Sequence, residues 1–125
     1  MSIDYLMDLE RDIEGGRDVY ATPGVGRNQW VMGKSVEELR RAAKKTADHK
    51  KTSVTIVRLI PKSDAISGQL FLVPTKIGEP GTRGEPQIEW SPIETKEAAE
   101  VLRDVRRGPS PFFAMQVEET VASEG

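Results

Sequence analysis

Residues 30–60, WVMGKSVEELRRAAKKTADHKKTSVTIVRLI, hold the clearest structural signals in the chain. Ser35 and Glu38 have the spacing of a capping box, in which the hydroxyl and the carboxylate each accept a hydrogen bond from a backbone amide at the helix start. Apolar residues then recur at helical spacing, at Val36, Leu39, Ala43 and Ala47. Residues 53–60 carry apolar side chains on both faces of an extended segment, which is typical of a central strand. The stretch therefore predicts a helix between two strands.

A second stretch, residues 90–117, repeats this order at similar spacing. Trp30 lies five residues before Ser35, and Trp90 lies five residues before Thr95. One hypothesis is a duplicated ββαβ unit, with its halves in residues 17–60 and 68–117. Coincidence is the alternative, because identity between the halves is slight. If the duplication is real, the seam between the halves is where a cleft with pseudo-twofold symmetry could form.

The second helix has two alternative caps, Ser91 and Thr95, since both are good N-cap residues. Its predicted apolar stripe consists of Ala98, Val101, Leu102 and Val105. We expect both tryptophans to pack in the core under their respective helices. The alternative is an exposed stacking or docking role.

The N-terminal segment, residues 2–14, predicts a short amphipathic helix that ends at Gly15-Gly16. Its apolar residues share one stripe at Ile3, Leu6, Leu9 and Ile13. Five acidic residues against one arginine make the rest of the segment acidic. Two interpretations follow: the stripe packs on a sheet of the same chain, or it docks on a partner protein.

Together these elements predict one α+β domain over residues 1–118. The expected sheet is mixed or mostly antiparallel, has three to five strands, and carries two main helices on one face. Residues 78–86 read as an exposed connector, because three glycines and two prolines fall within them. Residues 119–125 read as a disordered tail. At 125 residues the chain is too short for two independent cores.

Composition excludes several classes of site. The chain has no cysteine, so disulfides, cysteine-ligated zinc and thiol nucleophiles are excluded. The net charge of −2 offers no whole-chain field for nucleic acid or membrane. The start of the chain is acidic where a secretory signal would be positively charged. We therefore expect a soluble cytoplasmic protein without membrane contact.

The residues that could support catalysis are sparse. His49 is the one histidine, and it lies in a polar helix end. The pairs Glu37–Glu38 and Glu118–Glu119 are adjacent in sequence, so their carboxylates point in different directions, which is poor geometry for an acid–base pair. No spacing typical of metal ligands is found. We expect no enzymatic activity, no catalytic residues, no cofactor and no metal.

Positive charge is concentrated between residues 34 and 51, with seven cationic residues against three acidic ones. The predicted binding residues, called the basic ridge below, are Arg40, Arg41, Lys44, Lys45, Lys50 and Lys51. A continuous ridge of this kind could neutralise nucleic-acid phosphates. A solvated helix face explains the same residues.

The function we expect is that of a small non-enzymatic protein-binding module, such as an adaptor or an inhibitor of a larger assembly. An acidic N-terminal helix and a basic ridge segregate charge, and segregated charge can orient a partner protein. A nucleic-acid-binding domain that uses the basic ridge is the alternative. Acidic and basic surfaces of two copies could also meet in a homo-oligomer. An enzyme that uses the cleft between the halves is the third hypothesis.

Overall fold

The computed structural model describes residues 2–24, 29–80, 86–106 and 111–123. The elements in these ranges are α1 (Ser2–Glu14), β1 (Tyr20–Pro23), β2 (Trp30–Gly33), α2 (Val36–Lys50), β3 (Val54–Ile60), a 3-10 turn (Lys62–Asp64), β4 (Phe71–Pro80), β5 (Pro86–Ile93), α3 (Lys96–Arg106) and β6 (Phe113–Val121). The strands form one antiparallel sheet in the order β2-β1-β3-β6-β4-β5. A bridge between Gln29 and Glu89 joins its two ends, so the sheet is curled. The predicted α+β class is confirmed, with six described strands instead of three to five.

Strand β3 shows how the sheet divides the core into two faces. Val54 and Ile56 pack with α2, whereas Val57 and Leu59 pack with α1. Since successive side chains of a strand point to opposite faces, α1 and α2 lie on opposite sides of the sheet. The side that contacts α1 is called the inner face below, and the side that contacts α2 is called the outer face.

The inner face holds the largest cluster of buried side chains. Helix α1 contributes Leu6, Leu9 and Ile13 to it. The sheet and the residue that precedes β1 contribute Val19, Ala21, Val57, Leu59, Leu72, Ile88, Trp90, Phe113 and Met115. The interpretation that the apolar stripe of α1 packs on a sheet of its own chain is therefore confirmed for these three residues, and the side chain of Ile3 lies outside what the structure describes.

The outer face carries α2 and α3. Leu39, Ala43 and Ala47 of α2 pack on β3, and the Ser35 hydroxyl accepts from the amide of Glu38 as the capping box predicts. Helix α3 packs mainly on β4 and shares a buried cluster with Phe71, Val73, Ala99, Phe112 and Ala114. Its predicted stripe is partly wrong, because Ala99 is buried whereas Ala98 and Val101 are exposed. Thr95 is the cap, since its hydroxyl accepts from the amide of Ala98 at 3.1 Å.

The two tryptophans do not pack under their respective helices, although the sequence predicted that they would. Trp90 is buried in the inner-face cluster, and Trp30 packs against the same cluster. They therefore do not lie under α2 and α3, which cover the outer face. The physical reason is strand alternation: on β5, Ile88 and Trp90 point inward together.

Two predicted boundaries also differ from the structure. The prediction of a connector over residues 78–86 is wrong at both ends, because β4 extends to Pro80 and β5 begins at Pro86; residues 81–85 lie outside the described ranges. The predicted tail is wrong for residues 119–121, because β6 continues to Val121. There Thr120 pairs with Thr55 and Val121 with Val54, so the backbone partners of β3 hold the segment in the sheet. Residues 124 and 125 are not among those described.

The two halves have the same order of elements and the same sheet order. The first half is β1-β2-α2-β3 and the second is β4-β5-α3-β6, so a helix precedes the final strand of each half. The register agrees as well: Pro23 pairs with Trp30 in the first half, and Pro74 pairs with Trp90 in the second.

A matching hydrogen bond relates the last strand of each half to the residue before its first strand. The amide of Leu59 donates to the carbonyl of Val19 at 2.8 Å, and the amide of Met115 donates to the carbonyl of Leu70 at 2.9 Å. Leu59 and Met115 also lie directly opposite each other in the β3–β6 pair. Two antiparallel counterparts that face each other define a pseudo-twofold axis between them. That the halves arose by duplication stays a prediction.

Candidate functional site

A cleft opens on the inner face across the seam between the halves. Its volume is about 400 Å³. Its apolar lining comes from Trp30 and Val57 of the first half, from Leu70 at the connection, and from Pro92, Met115 and Val117 of the second half. The cleft lies at the predicted seam but lacks the predicted pseudo-twofold symmetry, because Trp30 and Met115 line it and their counterparts Trp90 and Leu59 do not.

The central strand pair forms the floor of the cleft. Val57 lies opposite Val117 in the β3–β6 register, and both point to the inner face. The register shifts just after this pair, so that Ile56 lies opposite Glu119. Leu70 is held at one side by the hydrogen bond between its carbonyl and the amide of Met115. Backbone pairing therefore fixes the positions of the apolar side chains.

The cleft changes from buried to exposed along one continuous surface. Val57 and Met115 are buried, whereas Leu70 is 41% exposed and Val117 is 66% exposed. The remaining side chains of the lining include Thr55 and Gln69, and no charged side chain lines the cleft within the described part of the chain. The Gln69 side-chain oxygen already accepts from the amide of Ile66 at 2.9 Å. The surface is suited to an apolar group rather than to proton transfer.

Of the residues that line the cleft, the sequence singled out only Trp30, as an alternative with a stacking or docking role. Leu70 and Val117 are ordinary apolar residues of strand-like segments, and their exposure cannot be read from periodicity. The usable signal was the spacing of Trp30 and Trp90, because it aligns the halves and locates the seam.

The basic ridge lies on α2, on the outer face of the sheet. Arg40 makes a bidentate contact with Glu119 of β6, with Nε and Nη2 donating at 2.9 Å and 2.8 Å. These hydrogen bonds lower the pKa of Glu119 and raise the pKa of Arg40. Lys44 Nζ lies 3.9 Å from a carboxylate oxygen of Asp48. Part of the ridge is therefore engaged in contacts within the chain.

The other ridge residues are Arg41, Lys45, Lys50 and Lys51, and all of them are exposed. Arg41 and Lys45 lie one turn apart on α2. Lys51 is the C-cap of the helix in the left-handed conformation, at φ 53°. The structure thus brings the six predicted residues to one helix, on the side of the sheet opposite to the cleft.

The groups considered for catalysis do not converge. His49 is exposed in the last turn of α2. In the described ranges, no three histidine, aspartate or glutamate side chains are grouped so that they could hold a metal ion. Among the same residues, no helix has the length and apolar character needed to cross a membrane.

Comparison of this chain with protein-family models, with curated proteins and with solved structures finds no match.

Proposed function

We propose that this chain is a non-enzymatic protein-binding module whose cleft takes an apolar segment of a partner protein. The observation that carries the proposal is the continuous surface from buried Val57 and Met115 to exposed Leu70 and Val117. Grooves with an apolar floor and apolar side chains at the edge bind the apolar side chains of partner segments, and the volume of this cleft is about 400 Å³.

Leu70 and Val117 supply the exposed apolar surface that a partner would cover. Full burial of a leucine or valine side chain contributes about 1.5–3 kcal/mol relative to exposure, so covering the exposed parts of Leu70 and Val117 contributes roughly 1 kcal/mol each. The preformed floor adds contacts without a further ordering cost. An apolar anchor of the partner, surrounded by groups that exclude water, is how most protein interfaces gain their affinity.

Val117→Asp is expected to abolish capture of the partner, because it places a charge at the open side of the apolar cleft. The matched control is Val101→Asp, since Val101 is 63% exposed on α3, at the outer face. We would use the full chain and both variants as baits in lysate of the source cells. A protein recovered with the original chain and with Val101→Asp, but lost with Val117→Asp, is the expected result.

The candidate partner is then purified and its affinity for the three chains is measured by titration calorimetry. Equal affinity for the original chain and Val117→Asp would overturn the proposal. If the protein lost with Val117→Asp is the chain itself, the module is a homo-oligomer that uses the cleft.

The second candidate function is nucleic-acid binding through the basic ridge. It is favoured by the exposure of Arg41 and Lys45 on one side of α2. If it is correct, Arg41→Glu with Lys45→Glu should abolish binding to labelled DNA or RNA, measured by fluorescence anisotropy at about 50 mM salt. Lys76→Glu with Lys96→Glu changes the net charge equally at exposed positions outside α2 and should keep most of the affinity. Equal losses in the two double variants would show that only overall charge matters.

The expectation of a cytoplasmic location stays a prediction, as does the absence of a cofactor.

A further inference from the structure

The cleft and the site filled by α1 occupy corresponding places in the two halves. The register makes Trp90 the counterpart of Trp30, Leu59 that of Met115, and Val19 that of Leu70. The three counterparts, Trp90, Leu59 and Val19, belong to the inner-face cluster, which α1 packs against. The cleft is therefore the pseudo-twofold mate of the α1 site.

Burial differs in two of the three corresponding pairs, in the way that a missing helix would produce, whereas Leu59 and Met115 are both buried. Val19 and Trp90 are buried beside α1, whereas Leu70 is 41% exposed and Trp30 is only half-buried. The side chains at the two sites correspond, and the extent to which they are covered differs.

The second half has no helix that corresponds to α1. Between β3 and β4 the chain forms only the 3-10 turn Lys62–Asp64, which has no buried residue. This segment is fully described, so the mate of the α1 site is not filled by the residues that precede β4.

The charged residues near the two sites differ at one corresponding position. A cavity of about 360 Å³ between α1 and β2 is lined by Asp8 and Asp12 of α1 and by Lys34 and Glu38. Lys34 follows β2 directly, and the residue that follows β5 directly is Glu94, two residues beyond Pro92 of the cleft lining. A helix that extends past the edge of the cleft therefore meets an acid where α1 meets a lysine.

We propose that the cleft receives an amphipathic helix of the partner protein, with an aliphatic stripe like that of Leu6, Leu9 and Ile13 and with basic residues where α1 carries Asp8 and Asp12. This inference rests on the proposed function and names the class of partner. Recognition of this kind is helix-in-groove binding, with anchors at i, i+3 and i+7.

The test uses two fluorescent peptides and the full chain. One has the 13-residue sequence of α1, and the other has the same sequence with Asp8→Lys and Asp12→Lys. Both are stapled on the polar face, because an isolated helix of this length is marginal in water. We expect the exchanged peptide to bind about tenfold more tightly than the original sequence, as measured by anisotropy.

Three variants of the chain make the result specific to the site. Val117→Asp should abolish binding of the exchanged peptide, and Val101→Asp should leave it unchanged. Glu94→Lys should reverse the preference, so that the original α1 sequence binds more tightly. Glu94 is exposed, so this change leaves the core intact.

Equal affinity of both peptides for the original chain and for Glu94→Lys would overturn the charge assignment. If neither peptide binds while capture of a partner protein still depends on Val117, the proposal of a helical partner segment is wrong and the proposed function stands. If peptide binding depends on Val117 and Glu94 but capture of no partner protein depends on Val117, the cleft is a helix-binding site and the proposed function is wrong.

Discussion

Leu6→Asp is expected to unfold the domain, whereas Met7→Asp, at the next position of α1, is expected to change its stability little. Leu6 is fully buried in the inner-face cluster, and Met7 is 54% exposed. Truncation of a buried leucine to alanine costs about 2–5 kcal/mol, and an unpaired carboxylate in the same place costs more. Since a small domain is stable by only about 5–15 kcal/mol, the loss should remove most of the folded population.

Urea unfolding of both variants, followed by circular dichroism, measures this difference. The midpoint should fall sharply, or no transition should remain, for Leu6→Asp. A midpoint for Leu6→Asp equal to that of Met7→Asp would show that α1 does not pack on the inner face, and it would also remove the basis for treating the cleft as a second helix site.

Trp90→Ala is expected to lower the free energy of unfolding by about 3–5 kcal/mol, the usual cost of removing a large buried aromatic side chain. Trp90 is buried among the inner-face residues and packs near Phe113, with ring centroids 6.3 Å apart. Trp30→Ala is the matched comparison, since Trp30 has the corresponding place in the first half and is only half-buried. It should cost roughly 1–2 kcal/mol, because less apolar surface is lost.

Chemical denaturation of the two variants measures the loss in the free energy of unfolding for each. Equal losses would mean that the cleft is as well covered in solution as the α1 site, which contradicts an open binding site. A larger loss for Trp30→Ala than for Trp90→Ala would reverse the assignment of the filled and open sites.

Local signals predicted much of the fold. The capping box at Ser35, the apolar pattern of residues 53–60 and the Trp-to-cap spacing each depend on contacts within one element or between neighbours, so the sequence reveals them directly. These signals are sufficient to predict the α+β fold class.

Long-range pairing was not predictable in the same way. The length of β6 depends on Thr55 and Val54 of β3, which are distant in sequence, and Glu119 is further held by Arg40. The tryptophans were assigned to the wrong face for a similar reason, because an amphipathic pattern shows that one side is buried but not which element covers it.

The predicted site was the basic ridge, and the cleft was expected only as a consequence of duplication. Sequence patterns could not show that Arg40 is engaged by Glu119 or that Val117 is exposed. The difference in burial between Leu70 and its counterpart Val19 depends on contacts between distant segments, which is a property of the assembled fold.

The pairing of β3 with β6 also has a consequence for the time course of folding. The first half cannot complete its sheet until the last strand has been synthesised, and α1 must wait for Phe113 and Met115 before its stripe is fully covered. Contacts between such distant segments slow folding because a long loop must close first. On the ribosome, α1 therefore emerges before β6 and stays without its final partners until β6 has been made, an interval in which a chaperone could hold its apolar stripe.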